Sequence, residues 1–435
     1  MIKCGMSEAV ITPSLGSPIP GAGSERLSAG VKDDLYVKAL VLETENISIA
    51  VLAFDAIDLT RKTVEQVRLL VSRKTGIPEE HVQITSTHSH TSGPTIRTTY
   101  VNAVDETYQS WIAQKAADAA VLAWNRRREA KIGFAMGRED SIAFNRRFHM
   151  RDGTVRTNPG IGNPDIVKPE GPIDPDVPVI RIDDLENNPI GIVTCYACHA
   201  DTVSGLEYSG DYPGELSRTI KRVFGSDVVS LFLQGTSGNI NHIDVTGRMP
   251  IDRSQHYRIM GRILAGEAIK TREKAVASPE IDLRLKRGFV TLNYRKPTLS
   301  ELDHARRVLE SEDKYPKTEA VLARQAIELA QLPDETAEAE IQAVAFGPET
   351  AFVFLPGELF VEYGLAIKQQ SPFRHTAVIE LSNGSVSGYI CTPEAYRNGG
   401  YENRIRYYSR LETEAGNKLA HRSLELLNRL KSEYM

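Results

Sequence analysis

The sequence predicts an α/β fold in which mixed β-sheets are flanked by helices. Short runs of β-branched and apolar residues alternate with amphipathic helical patterns along most of the chain. Several of the apolar runs end directly in turns that carry His, Glu, Asn or Tyr. This arrangement is typical of sheets that present a binding site at their strand ends. With 435 residues, of which 41% are hydrophobic, the chain can bury a large core.

The individual elements follow from periodicity and from turn residues. In the first predicted helix, for example, Val64, Val67, Leu70 and Val71 share one face, and Gly76 is a natural stop. The predicted helices are Arg61–Lys74, Tyr108–Arg126, Ser254–Lys274, Leu299–Glu310, Thr318–Gln331 and Glu412–Lys431. The predicted strands are Val37–Glu43, Ser48–Phe54, Val82–Thr87, Lys131–Gly137, Val179–Ile182, Ile190–Cys198, Val228–Leu233, a strand pair within Ile281–Tyr294, Ile341–Phe354 and Thr376–Leu381.

We expect one catalytic domain over residues 1–435. Residues 152–178 contain six prolines and four glycines, which predicts a long surface loop. The two helical patterns near 299–331 predict a helical insertion.

Charge and hydropathy exclude several partners. The net charge of −5 gives no electrostatic reason to expect nucleic acid or an anionic membrane. No apolar run reaches the ~18 residues of a transmembrane segment, and Met1–Glu8 lacks the apolar core of a signal peptide. We therefore expect a cytoplasmic enzyme with a small-molecule substrate, and the sequence leaves its oligomeric state open.

The first candidate motif is a histidine pair, His88 and His90, which follows a predicted strand. Because side chains two apart in a strand point the same way, both imidazoles could reach one cation. Two hydrogen-bonded surface histidines explain this motif equally well.

The second candidate motif, Cys195-Tyr196-Ala197-Cys198-His199, has the C-x-x-C-H spacing of c-type haem attachment. It ends a buried strand pattern, whereas haem and redox motifs favour a helix start. Cys195 and Cys198 are better explained as small buried hydrophobes, which leaves His199 as the polar residue at a strand end.

Three further loops carry polar side chains after apolar strands. The first holds Gln234, Asn239 and Asn241, which are candidate substrate-binding residues. The second begins with Glu358, which could be a carboxylate ligand or could favour the positive end of the following helix. The third ends in Tyr389. His and carboxylate side chains are the usual ligands of a catalytic zinc ion, so we expect the metal at the strand ends.

These motifs, in this order, resemble segments of the catalytic domain of the neutral/alkaline (non-lysosomal) ceramidases, which are zinc amidases. The family's T-H-T-H-S-G-P is similar to Thr87–Pro94, and its P-G-E-F-T-T is similar to the segment that begins at Pro356. The remaining matches are Gly30–Tyr36, Asn145–Arg147, His199–Val203 with Ser209–Asp211, Gln234–Ile243 and Asn383–Thr392.

The resemblance implies the ceramidase catalytic-domain fold and one Zn²⁺ per chain. It implies that the zinc ligands are His88, His199, Glu358 and Tyr389. It also implies that His90 and Arg146 bind or polarise the substrate, and Tyr389 could act as an acid or base. Where this chain has Asn239 and Asn241 the family has Asp and Ser, and its C-terminal immunoglobulin-like domain has no counterpart here. We therefore expect a substrate other than ceramide.

The favoured hypothesis is a zinc-dependent amidohydrolase-type enzyme that cleaves an amide or related acyl bond through a zinc-activated water. The first alternative is a zinc-assisted lyase, or another hydrolase, that acts on a polar substrate such as a sugar derivative. The second is a redox or haem protein that uses Cys195, Cys198 and His199, and the third is a solely structural protein.

Overall fold

The fold is organised around two β-sheets, which a computed structural model describes over residues 1–101, 104–248 and 254–435. The large sheet has nine strands, and the short strand Ala277–Ser278 joins it beside Arg128–Arg138. Its other strands lie in the order Val229–Gln234, Pro189–Tyr196, Asp176–Asp184, Arg128–Arg138, Lys3–Val10, Tyr36–Glu43, Ser48–Phe54 and Val82–Ser86.

The small sheet has four strands in the order Leu283–Asn293, Thr336–Phe346, Thr350–Phe354 and His375–Ile379. Its last two strands are parallel, and so are the two outermost strand pairs of the large sheet. The remaining neighbours in both sheets are antiparallel. The prediction of mixed sheets is therefore confirmed.

The two sheets pack face to face, and helices cover their outer faces. One buried cluster contains Leu42 and Val193 of the large sheet together with Phe352 and Ile379 of the small sheet. The helices are Arg61–Thr75, Glu106–Asn125, Asp211–Phe224, His256–Lys274, Leu299–Glu310, Lys317–Gln331, Val361–Gln370, Pro393–Asn398 and Ala415–Ser432. Separate apolar clusters join these helices, except Leu299–Glu310 and Lys317–Gln331, to the outer faces, which gives a helix–sheet–sheet–helix order of layers.

Local signals explain where the predicted helices begin and end. Thr60 caps Arg61–Thr75 by accepting a hydrogen bond from the Thr63 amide, and Gly76 ends it with φ of 79°. A capping box formed by Thr298 and Glu301 begins the helix Leu299–Glu310. These helices consequently start and end within a residue of their predicted bounds.

Two strand predictions were wrong because pairing partners and turns, which the local pattern does not show, set where a strand begins and ends. The predicted pair in Ile281–Tyr294 is one strand, Leu283–Asn293, which pairs along its whole length with Thr336–Phe346. The predicted single strand Ile341–Phe354 is instead two strands joined by a tight turn, in which Gly347 has φ of 74°.

Residues 152–178 contain more regular structure than the predicted loop. The short strands Val155–Thr157 and Ile166–Pro169 pair on either side of Arg147–Met150 in a three-stranded sheet. The helices Leu299–Glu310 and Lys317–Gln331 share a small core of their own, which also takes up Ile405. That the chain forms one domain stays a prediction.

Three further short strand pairs lie outside the two main sheets. They are Gly30–Val31 with Glu207–Tyr208, Phe144–Asn145 with Ile240–Asn241, and Glu358–Leu359 with Tyr389–Ile390. In the described ranges, no helix is long and apolar enough to cross a bilayer.

Close packing against the strand Lys3–Val10 supplies a test of the fold. A Cβ atom at Gly5 would overlap the carbonyl oxygen of Ala123 in the neighbouring helix. We expect Gly5→Ala to lower the free energy of unfolding by about 1–3 kcal/mol, measured by urea denaturation. Gly266→Ala is the control, because this exposed helical position has no atom within 4 Å of the added methyl. Its stability should rise by up to about 1 kcal/mol, and an unchanged Gly5→Ala variant would contradict the packing.

Candidate metal centre and active site

The polar loops that follow the strands of both sheets meet at one end of the molecule. Isolated backbone bridges join the loop and strand ends of the two sheets, Thr85 to Ser382 and Gly235 to Ile379. Because the sheets are joined here, side chains from loops far apart in sequence face one shared pocket. The pocket has a volume of about 90 Å³. Its lining includes His88, His90, Glu358 and Tyr389.

Three histidines from two of these loops form a cluster. His88, His90 and His199 each offer a ring nitrogen, and these nitrogens lie within 4.8 Å of one another. The Nε2 atoms of His88 and His90 are 3.3 Å apart. Imidazole nitrogens brought this close, with a carboxylate beside them, can hold a metal ion.

Each of the three imidazoles is held through its other ring nitrogen by a backbone carbonyl. The Nδ1 atoms of His88, His90 and His199 lie 2.7, 2.7 and 2.8 Å from the carbonyl oxygens of Ile57, Gly21 and Ser237. A carbonyl can only accept a hydrogen bond, so each Nδ1 carries the proton and each Nε2 keeps its lone pair. This is the tautomer that a metal ligand needs.

Glu358 completes the cluster from the small-sheet side. One of its carboxylate oxygens, Oε2, lies 3.4 Å from His88 Nε2 and 3.5 Å from His199 Nε2. Glu358 and Tyr389 are partners in a parallel bridge, so the phenol lies next to the carboxylate. Among the described residues, neither His199 Nε2 nor Glu358 Oε2 has a hydrogen-bond partner. Buried polar atoms normally have one, so these donor atoms fit a cation.

Mutual electrostatics shift the pKa values of the cluster. Burial alone would raise the pKa of Glu358, but the neighbouring His88 and His199 hold it well below its ordinary value. Burial and the charge of His88 lower the pKa of His90 to about 3. Burial and Arg146 lower the pKa of His199. Although burial opposes it, Glu358 raises the pKa of His88. The site therefore favours an ionised carboxylate beside neutral His90 and His199, and a metal bound by His88 would displace the proton that Glu358 favours there.

Arg146 packs against Tyr389, which lines the pocket. Its guanidinium is 5.1 Å from the centre of the Tyr389 ring. Nε donates to Glu402 at 2.9 Å and Nη2 donates to the Gly238 carbonyl at 2.7 Å. Two fixed contacts therefore hold the Arg146 charge against the ring of Tyr389.

The three predicted substrate-binding amides make contacts within the protein. Gln234 donates to the Cys198 carbonyl and the Ser237 hydroxyl. Asn239 accepts from the Val361 amide and donates to the Glu362 carboxylate, and Asn241 donates to the Asn158 side chain. These contacts fix the loop that carries the Ser237 carbonyl, and a contact of the amides with substrate stays a prediction.

Strand alternation is not what brings the histidine pair together. The preceding strand ends at Ser86, and His88 has a φ of 65°, so the pair lies in a loop. The two rings converge because the carbonyls of Ile57 and Gly21 hold them there. The prediction that both histidines reach one point is confirmed, for a different reason.

The cysteines of the C-x-x-C-H motif are free and buried. Burial raises the pKa of the Cys195 thiol to about 12 and that of Cys198 well above its usual value. Buried, protonated thiols are poor nucleophiles, which disfavours the redox interpretation. The motif follows a strand, Pro189–Tyr196, and its His199 side chain enters the histidine cluster, which disfavours haem attachment.

Sequence reasoning missed part of the pocket wall. Tyr401 and Tyr408 line the pocket, and Arg406 lies among their rings. The only signal for them in the sequence is the local abundance of Tyr and Arg, which is common on protein surfaces. Arg26 was also missed, although it donates to the carbonyl of His90 at 2.6 Å.

Comparison with known proteins identifies the fold. No protein-family model matches the chain, and no curated protein matches it. The neutral ceramidase of Pseudomonas aeruginosa has a similar structure, with a TM-score of 0.75 and 17% sequence identity. A ceramidase complexed with C2 is also similar, with a TM-score of 0.76 and 17% identity. Each comparison covers 99% of this chain and 75% of the other, so the predicted neutral-ceramidase-like fold is confirmed.

The geometry of the cluster predicts a stoichiometric metal site. We expect the wild type, stripped with chelator and dialysed against zinc, to retain about one zinc per chain by elemental analysis. His199→Ala and Glu358→Gln should lose it, because each removes a donor atom that has no other partner among the described residues. His304→Ala is the control, since this histidine is half exposed on the helix Leu299–Glu310. Equal zinc content in all four proteins would exclude this ligand set.

Proposed function

We propose that this protein is a zinc-dependent hydrolase that cleaves an amide or a related acyl bond in a substrate other than ceramide. The observation that carries the proposal is the convergence of three imidazole nitrogens and a carboxylate oxygen in one pocket. Support also comes from the fold, which is similar to that of a neutral ceramidase. The carbonyl contacts of the three imidazoles hold the donor atoms in place, as a preorganised site requires.

His88, His199, Glu358 and Tyr389 would hold one Zn²⁺ in this proposal. Nitrogen and oxygen donors of these types suit zinc. A bound zinc ion supplies a Lewis acid that polarises an acyl carbonyl and lowers the pKa of water. The protein's part is to keep the donor atoms deprotonated and in place, which the carbonyl-held imidazoles of His88 and His199 do.

His90 is the candidate acid–base residue. Its Nδ1 is held by the Gly21 carbonyl, so its Nε2 presents a lone pair to the pocket, 3.3 Å from His88 Nε2. In this position Nε2 can accept a proton from an attacking water and return it to a leaving amine. This role requires that negative charge developing in the occupied site raises the pKa of His90 from about 3. A Cβ at position 21 would lie 2.7 Å from the His90 ring, so Gly21 permits the close approach that aims it.

Arg146 and Tyr389 are the candidate groups that bind and polarise substrate. The Arg146 guanidinium faces the Tyr389 ring and is itself held by Glu402. A fixed positive charge at this point stabilises negative charge that develops on an acyl oxygen nearby. Because both side chains are almost fully buried, the interaction is weakly screened by water.

One observation favours a second candidate, a zinc-assisted lyase or other hydrolase acting on a polar substrate. A cavity of about 500 Å³ opens beside Asp201, two residues after His199. Its wall contains the polar residues Asn158, Asp201, Thr202, Ser204, His242 and His256 together with Ile161 and Ile243. The carboxylate, hydroxyl and imidazole groups of this wall can hydrogen-bond a hydroxylated substrate.

Product analysis separates the two candidates. The zinc-loaded protein is incubated with a panel of short N-acyl compounds. In parallel it is incubated with sugar derivatives whose elimination would give an unsaturated product that absorbs in the ultraviolet. Release of a carboxylate and an amine supports hydrolysis. New ultraviolet absorbance from a conjugated double bond, with no carboxylate released, would establish elimination and overturn the hydrolase proposal.

Replacing His90 tests its assigned role. We expect His90→Ala to retain zinc, because His88, His199, Glu358 and Tyr389 remain, and to lower kcat/KM by roughly 10²–10⁴-fold. Zinc content and steady-state rates are measured on the same preparation, with His304→Ala as the control. Loss of zinc in His90→Ala would instead place His90 among the ligands, and unchanged kinetics would remove it from the reaction.

A further inference from the structure

A buried guanidinium with few partners packs behind the tyrosines that line the pocket. Arg406 is 1% exposed. Within the described residues, its side chain donates from Nη2 to the Tyr401 carbonyl at 3.2 Å and forms no ion pair with a carboxylate. Its Nε is buried without a partner. A guanidinium has five N–H groups; Tyr401 engages part of this donor capacity, and the rest, including Nε, remains to bind an anion that reaches it.

Other buried arginines in this protein are paired with carboxylates. Arg68 pairs with Glu340, and Arg272 pairs with Asp183. Closer to the site, Arg146 and Arg147 share the carboxylate of Glu402. That pairing leaves Glu402 occupied, although it lies in the same segment as Arg406. A buried charge without a counter-ion is strongly unfavourable, so Arg406 is an exception that calls for a function.

Three tyrosines of the pocket surround this guanidinium. Its central carbon lies 4.3 Å from the ring centre of Tyr401, 5.1 Å from that of Tyr408 and 5.4 Å from that of Tyr389. All three tyrosines line the pocket together with His88 and His90. Their ring faces attract the cation, but a ring face does not satisfy the planar fork of donors as a carboxylate does.

We propose that Arg406 is an anion-binding residue of this pocket, and that the natural substrate carries a carboxylate beside the bond that is cut. The guanidinium fork matches a planar carboxylate in shape and charge. The pocket volume of about 90 Å³ admits a compact group of this kind. The part that concerns the substrate rests on the proposed hydrolase function, whereas anion binding by Arg406 does not.

Binding of acetate and of acetamide, its neutral analogue of the same shape, tests the proposal. Both are titrated by ligand-observed NMR against the full chain, once loaded with zinc and once stripped with chelator. We expect acetate to bind at least roughly 10-fold more tightly than acetamide in both states. Arg406→Met should abolish this preference, and Arg406→Lys should keep part of it because the charge remains.

Arg404→Met is the matched control. Arg404 lies two residues away in the same segment, but its guanidinium pairs with Glu319 on the helix Lys317–Gln331. This variant should keep the full preference for acetate. If wild type binds both probes equally, the proposal is wrong. It is also wrong if folded Arg406→Met and Arg406→Lys both bind acetate as wild type does, or if stripping the zinc removes the preference.

The two proposals fail in different ways. If the protein binds no zinc but still binds acetate more tightly than acetamide through Arg406, the proposed metal site is wrong and the proposed anion site stands. If neutral acyl compounds are hydrolysed faster than their carboxylate-bearing analogues, the hydrolase proposal stands and the proposed substrate class is wrong. Faster turnover of the carboxylate-bearing compounds, lost in Arg406→Met while zinc content is unchanged, supports both.

Discussion

The hydrogen bonds from three imidazoles to three backbone carbonyls are the constraint on which the site depends. Each carbonyl comes from a different part of the chain, namely Ile57, Gly21 and Ser237. The fold must therefore bring these loops together before the three Nε2 atoms can share one point. The carboxyl ends of the parallel edge strands in both sheets do this, because they meet at the same end of the molecule.

Much of the fold could be predicted from local sequence, since periodicity and capping residues act over a few positions. The helix bounds near Thr60 and Thr298 are examples. The histidine cluster is predictable in part, because His directly after an apolar strand suggests a site at the strand ends and motif order ties these residues to a known fold. The strand pair predicted in Ile281–Tyr294 failed because strand length depends on a partner strand far along the chain.

The pocket wall could not be predicted for a related reason. Tyr401 and Arg406 come close to the pocket only because the segment that carries them folds back over Tyr389. Nothing in their spacing distinguishes them from an exposed aromatic and basic stretch. For the side-chain amides of Gln234 and Asn239, the sequence suggests substrate binding, but the structure shows hydrogen bonds within the protein that stabilise their own loop.

The helical pair Leu299–Gln331 has a consequence for how this protein can diversify. Through Ile405, which packs into the small core of the two helices, it supports the segment that carries Tyr401 and Arg406. None of the histidines of the cluster, nor Glu358, lies in that segment or in those helices. Under the proposed function, the segment that would contact the substrate and the loops that hold the metal-donor atoms are thus built from separate elements. Mutation can remodel the first, and so the range of substrates accepted, while the second stays intact.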